Sequence, residues 1–268
     1  MLFWLAYLTN GKHLGWYQSV QFTLVAAVAG GAVALLLGLL AAAARNGGPW
    51  PLRVLAAGYI NIVRGVPDVL FFLFFPIAFE QAVEWLWAAE VCTADTLAAN
   101  TGQWPPCDAA NWHLTTLQYL ALASVSLGIV YGAFAASVIS GALRAVPVGQ
   151  LEAAQAFGMS RMEVLWRVHI RQMWIYALPG LSNVWLLLIK ATSLLSLLQI
   201  MDIVAWAQRL GAANFSAAAG LVHGDWRWSY YFALLLFYMA LTFVSEKAFA
   251  VLSRRAAHGM PIGAGGAA

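Results

Sequence analysis

Charge is what this chain has least of. Asp, Glu, Lys and Arg make up 9% of its 268 residues against 62% hydrophobic, where a soluble globular domain carries roughly 25% charged residues. A soluble fold of this length leaves too much surface exposed to hide that much apolar area, so membrane lipid is the solvent that fits. Cysteine is nearly as scarce. Cys92 and Cys107 are the only two, in one polar segment with Gly102, Pro105 and Pro106 between them, which describes a loop. In an oxidising compartment a disulfide is the natural reading of the pair; two unpaired thiols is the other. His13, His113, His169, His223 and His258 are scattered without metal-ligand spacing. The sequence lacks a glycine-rich phosphate loop ending in Lys-Ser/Thr, a His-Glu-x-x-His helix and a Gly-x-Ser-x-Gly nucleophile turn. No nucleotide, metal or catalytic site is therefore expected on this chain. Nor does any stretch interleave clustered Lys/Arg with stacking aromatics, which removes nucleic acid as a partner despite the net charge of +3.

What the chain has in abundance is apolar runs long enough to span a bilayer, which takes about 20 residues. The first runs from Phe22 to Ala44, with Gly30, Gly31 and Gly38 allowing close helix approach. It is too long for a signal-peptide core and lacks a cleavage site before Arg45. The second starts near Val54 and passes Phe79, interrupted by Arg64, Gly65, Pro67 and Asp68, so it reads as two pieces or a kinked helix. The third covers Leu114–Leu143, the fourth Pro179–Ile203 with Lys190 inside, and the fifth begins at Trp228 and ends before Arg254. Lys and Arg placement orients them. With the N-terminus outside, the inner segments hold Arg45, Arg53, Arg144, Arg161, Arg167, Arg171, Arg254 and Arg255, and the outer ones only Lys12, Arg209 and Arg227. This topology puts the C-terminus in the cytoplasm and the Cys92/Cys107 loop outside.

The inner segment from Arg144 to Pro179 is too long for a turn and too patterned for a linker. Pro147 breaks the third helix, and Glu152-Ala153-Ala154-Gln155-Ala156 starts a new one. Gly158 stops it, and Ser160 with Glu163 three residues on forms a capping box for the next helix, Arg161 to Trp174. Two short helices at a glycine corner make a rigid knob suited to docking a partner; a solvated loop helix lying on the membrane is the other reading.

At these residues the chain resembles a family. Glu152-Ala153-Ala154, three residues, then Gly158 resembles the EAA loop of ABC importer permeases. Tyr59 through Arg64-Gly65-Val66-Pro67-Asp68 is similar to the second core helix of the polar amino-acid branch, the histidine and lysine/arginine/ornithine permeases especially. Tyr176-Ala177-Leu178-Pro179-Gly180 and Lys190-Ala191-Thr192-Ser193-Leu194-Leu195-Ser196 match further segments in the same order, and so do Tyr131-Gly132-Ala133-Phe134 and Gly141 through Pro147. The resemblance implies an all-α type I ABC importer transmembrane domain (MetI-like) of about five transmembrane helices over residues 18–255. Residues 85–113 are then an external loop, 144–179 the cytoplasmic EAA coupling loop and 256–268 a flexible tail. It implies a permease in the bacterial inner membrane that translocates polar, including basic, amino acids. Its partners are a second permease subunit, homologous or identical, two ATP-binding subunits that carry ATP and Mg, and a periplasmic amino-acid-binding protein. A secondary amino-acid transporter without an ATPase is the alternative, though no internal repeat supports it.

Glu152, Ala153, Ala154 and Gly158 are the ATPase-coupling candidates, with Gly158 a corner where a side chain stands in the way. For the substrate pathway or gate the candidates are Arg64, Asp68, Lys190, Thr192, Ser193 and Asp202. Arg64 and Asp68 read either as a gate or helix start near the cytoplasmic face or as interfacial snorkelling by Arg64. Lys190, costly inside a span, faces a cavity or glues two permease subunits, with Thr192 and Ser193 as further polar contacts. Asp202 caps the outer end of its helix or meets the binding protein, and Glu80 and Glu84 read as solvated charges. The chain departs from the family at Ser137 and Ser140, where an acidic and a basic residue usually stand one turn apart, and at Arg171, which replaces a proline.

Overall fold

The computed structural model describes residues 8–99, 102, 104–112, 114–198, 200–213 and 223–257; His113, His258 and the tail beyond residue 257 lie outside them. Every regular element among them is helical. Helix α1 (Gly11–Gly47) is followed by α2 (Trp50–Gly65), α3 (Asp68–Val91) and short α4 (Ala94–Ala99). Next come α5 (Thr116–Ala145) and α6 (Val148–Ala156). Helix α7 (Arg161–Leu198) has a π-helical turn at Val164–His169 and a 3-10 end at Thr192–Leu198, and α8 (Ile203–Gly211) and α9 (Arg227–Ala256) complete the bundle. Five of these, α1, α3, α5, α7 and α9, are long and apolar enough to cross a membrane.

Helix α5 is the hub. Its central positions are small or aliphatic apart from Tyr131 and Phe134, and it packs on α1 along nearly its whole length, with α2, α3 and α7 around it. Small residues on α1 permit this. A Cβ on Gly38 would stand 2.7 Å from the Ala135 Cβ, and one on Gly30 3.1 Å from the Leu127 Cβ. Side chains there would hold the backbones apart, and between helices in lipid close packing is the main attraction. Gly31 faces Trp185 of α7 instead. By contrast α9 is barely buried within this chain, its apolar residues Leu235, Met239 and Phe243 pointing outward.

The second apolar run is two pieces, one of the two readings the sequence offers: α2 ends at Gly65, Val66 is extended, and α3 starts after Pro67. Proline lacks an N–H and its ring disfavours a helical conformation in the residue before it, so the chain separates there. The fourth is one helix from Arg161 to Leu198, although the sequence places its start at Pro179. Pro179 sits inside it, where only the carbonyl of Ile175 loses its helical donor. The second helix of the glycine corner is therefore the first turns of a span, and it continues through Arg171. Its foot is fixed to the hub, where His169 Nε2 donates to the Leu143 carbonyl at 2.9 Å.

Candidate functional site

The glycine corner is built from backbone chemistry. Helix α6 ends in a Schellman arrangement: Met159 N–H donates to the Ala154 carbonyl at 3.2 Å and Gly158 N–H to that of Gln155 at 2.9 Å. This requires the left-handed conformation of Gly158, φ +83°. This is the helix-stopping glycine that the sequence reading describes, and within this chain a Cβ there would meet nothing within 4 Å, so backbone conformation accounts for it. Two residues on, Ser160 and Glu163 close the capping box, so the corner is held from both sides. Ala154 is buried and anchors α6, while Glu152, Ala153 and Gly158 are exposed. Around them stand Val148, Met162, Trp166 and Phe157, the last 89% exposed. Sequence reasoning missed Phe157; a large aromatic immediately before a helix-stopping glycine is the signal that marks it.

The broken span forms a second polar site. Arg64 Nη1 donates to Ser137 Oγ at 3.0 Å, with the guanidinium carbon 5.3 Å from the centre of the Phe134 ring. Asp68 accepts from the Tyr131 hydroxyl at 3.1 Å and from its neighbour Val69 N–H at 3.0 Å. Arg64 and Asp68 make no ion pair with each other. Each instead leans on α5, Asp68 through Tyr131 near the middle of that helix and Arg64 through Ser137, roughly two turns nearer its C-terminal end. Ser140, the other departure, accepts from Asn46 Nδ2 at 3.1 Å.

The remaining pathway candidates are dispersed. Lys190 is exposed on the last α-helical turn of α7, just before its 3-10 end. The hydroxyls of Thr192 and Ser193 donate to the carbonyls of Ile189 and Lys190, at 2.6 and 2.8 Å. Asp202 caps not its own span but the next helix, α8, through Ala205 N–H at 2.9 Å, and is fully buried. Burial pushes its carboxyl up to about 6, outweighing the backbone N–H groups that pull it down. The folded state then holds the proton more tightly than the unfolded chain, so stability falls as pH rises from about 4 to about 6 and is level above. The variant Asp202→Asn keeps a capping oxygen without the charge. Its melting temperature in detergent should stay flat across that window and exceed the wild type's above pH 6; parallel curves would refute the assignment.

Glu84 is buried rather than solvated, and Glu80 is half-buried. Glu80 accepts from the Tyr119 hydroxyl at 3.0 Å, and Glu84, 4% exposed, takes Trp104 Nε1–H at 2.6 Å and Trp112 N–H at 3.0 Å. Together with the Cys92–Cys107 disulfide, Glu84 ties the loop onto the end of α3. Removing it orphans two donors, at about 1–3 kcal/mol for such a group. Glu84→Ala should make the loop the first point of proteolytic cleavage under non-reducing conditions, and wild-type resistance would contradict this.

A five-span bundle with a polar helix break beside α5 and a rigid capped corner between two of its spans is the frame of a membrane permease. The chain matches the family described as binding-protein-dependent transport system inner membrane component over residues 34–258. It belongs to that family, and so is an inner-membrane transport component. It is 29% identical over 240 residues to the histidine/lysine/arginine/ornithine transport system permease protein HisQ of Escherichia coli, covering 89% of this chain and 91% of that one. To the arginine ABC transporter permease protein ArtQ of the same organism it is 34% identical over 178 residues, 64% of this chain and 71% of the relative. The octopine transport system permease protein OccQ of Rhizobium radiobacter is 26% identical, with 92% of each chain covered. In fold it resembles a solved amino acid ABC transporter with histidines, at TM-score 0.63, 17% identity and 91% and 94% coverage. The MetNI methionine ABC transporter in an inward-facing form gives TM-score 0.53 at 16% identity, covering 90% and 94%.

Proposed function

We propose that the chain is the permease subunit of an ATP-driven importer of polar amino acids, basic ones included. The observation that carries the reading is the exposed, doubly capped corner at Gly158 on a chain whose relatives are amino-acid permeases. The knob has the form of a ball for a socket: a rigid turn with Phe157 at its tip and Glu152 on its flank. A cytoplasmic ATPase subunit holding ATP and Mg would receive it, one for each of two permease subunits. An external binding protein would deliver cargo to the opposite end. The excess of Lys and Arg on the knob side of the bundle supports a cytoplasmic knob and C-terminus and an external N-terminus. ATP-driven closure then pushes the knob, and α7, whose first turns are part of it, carries the motion into the membrane.

The test is reconstitution. Purification of the chain in mild detergent should bring an ATP-binding subunit with it, and the purified chain alone should hydrolyse no ATP. Proteoliposomes of the complex should take up a basic amino acid only with ATP and a binding protein. Uptake by the chain alone, driven by an ion gradient, would overturn this reading in favour of a secondary transporter.

A further inference from the structure

We propose that Asp202, with the hydroxyls of Thr23, Thr192 and Tyr238, forms a binding site for a small monovalent cation of the sodium type. Four elements meet there, at the end of α7 opposite the glycine corner. Thr23 comes from α1, Thr192 from the 3-10 end of α7, Asp202 from the residue before α8, and Tyr238 from the middle of α9. Thr23, Thr192 and Asp202 are each 0% exposed. The Tyr238 hydroxyl lies beside those of Thr23 and Thr192 and in the field of the Asp202 carboxylate. Yet Thr23 Oγ1, the Tyr238 hydroxyl and Asp202 Oδ2 are buried atoms that make no hydrogen bond. Each such atom costs free energy until something satisfies it, and these three converge from separate elements.

The chemistry of the set selects the ligand. All four groups offer hard oxygen, without the nitrogen or sulfur that a transition metal favours. Asp202 Oδ1 is engaged by Ala205 N–H, which leaves Oδ2 for the site. The Thr192 hydroxyl gives its proton to the Ile189 carbonyl, so what it offers is lone pairs. A buried carboxylate is paired or coordinates a metal, and among the described residues no cation pairs with Asp202. Ile200 and Met201, just before it, line a cavity of about 650 Å³ that gives an ion a way in. Arg209 and Arg227 line the same cavity without bridging to Asp202. One carboxylate balances one positive charge, and a divalent ion would leave a net charge buried. A water would satisfy the hydroxyls and leave the carboxylate unbalanced; a proton on Oδ2 would balance the charge and reach one hydroxyl alone. A monovalent ion takes a lone pair from every oxygen and balances the charge. It ties the end of α7 and the start of α8 to α1 and α9.

Thermal unfolding of the full chain, purified in detergent with whatever subunits accompany it, tests this in sodium chloride against choline chloride at one ionic strength. At about pH 8 sodium should raise the melting temperature by about 2–4 °C, saturably. At about pH 4.5 the rise should vanish, because burial holds the Asp202 carboxyl up at about 6 and the proton then displaces the ion. Sodium should therefore flatten the loss of stability between about pH 4 and 6 that choline leaves in place. Asp202→Asn, which keeps the capping oxygen, should melt alike in both salts. Tyr238→Phe and Thr23→Val keep the carboxylate and should need at least roughly tenfold more sodium for half of the rise. Equilibrium dialysis of the wild type with radioactive sodium reads the site directly, and should show binding at about pH 8 that is lost at about pH 4.5, whether or not a variant folds. Identical melting of the wild type in the two salts at about pH 8, with no sodium retained in dialysis, would overturn the proposal and leave water or a proton among the hydroxyls. A sodium effect that survives intact in Asp202→Asn would overturn it too, since the ion then binds elsewhere.

Discussion

Replacing Gly158 by valine should uncouple the importer: ATP hydrolysis by the assembled complex continues while uptake falls by at least roughly tenfold, within the usual range of coupling between distant sites. Gly158 has φ +83°, a region that costs an ordinary L-residue about 1–2 kcal/mol and a β-branched one more. No neighbour crowds the position, so the strain is relieved only by changing the turn. That change opens the paired hydrogen bonds from Gly158 and Met159 to α6 and swings Phe157 away from its present direction. The knob would still fold, because Ser160 and Glu163 cap α7 independently, but it would no longer present Glu152 and Phe157 together. The control is Gly158→Asn, since asparagine tolerates the left-handed region; it should retain most uptake. Paired measurements of uptake and ATPase rate in proteoliposomes decide the matter. Normal uptake by the valine variant would show that the corner does not transmit force.

Replacing Gly38 by leucine should abolish the folded protein. The Cβ alone would lie 2.7 Å from that of Ala135 and 3.3 Å from the backbone nitrogen of Ala136, and a main chain cannot step aside as a side chain does. Overpacking a core commonly costs about 1–3 kcal/mol and occasionally more, but here the clash lies at the seam between α1 and α5, the most extensive in the bundle. Separating them also strips contacts from Ala34, Ala42 and Ile139, all buried in or beside that seam. The expected result is loss of the monodisperse peak in detergent chromatography, with Gly38→Ala showing a smaller loss. A Gly38→Leu protein that elutes and melts like the wild type would refute the packing argument. Gly47, with nothing within 4 Å, provides the matched leucine control and should be tolerated.

The two sites were unequally visible before the fold was known. The glycine corner is local chemistry: a helix former run, a stopping glycine and a capping box fall within a dozen residues, so its shape follows from spacing, while its coupling role rests on the family resemblance. Phe157 escaped because exposure, not identity, distinguishes it among so many aromatics. The site at the helix break is different. Arg64, Asp68 and Pro67 stand out in an apolar run, but Tyr131, Phe134 and Ser137 come from a helix more than sixty residues away, and no local pattern joins them. The same limit applies to Glu84, which resembles a solvated charge until Trp104 and Trp112 fold over it.

By itself the sequence determined that this is a helical membrane protein with five spans, because a bilayer imposes length and apolarity on every span regardless of what it packs against. It also determined the capped glycine corner, since this depends on neighbouring residues. Only the tertiary structure decided which α5 residues hold Arg64 and Asp68, that Asp202 caps α8 while buried, and that Glu84 is buried under the loop. Burial and partnership are properties of contacts between distant helices. Those contacts form where small residues let α1 and α5 close on one another, and a one-dimensional pattern carries no record of which faces meet.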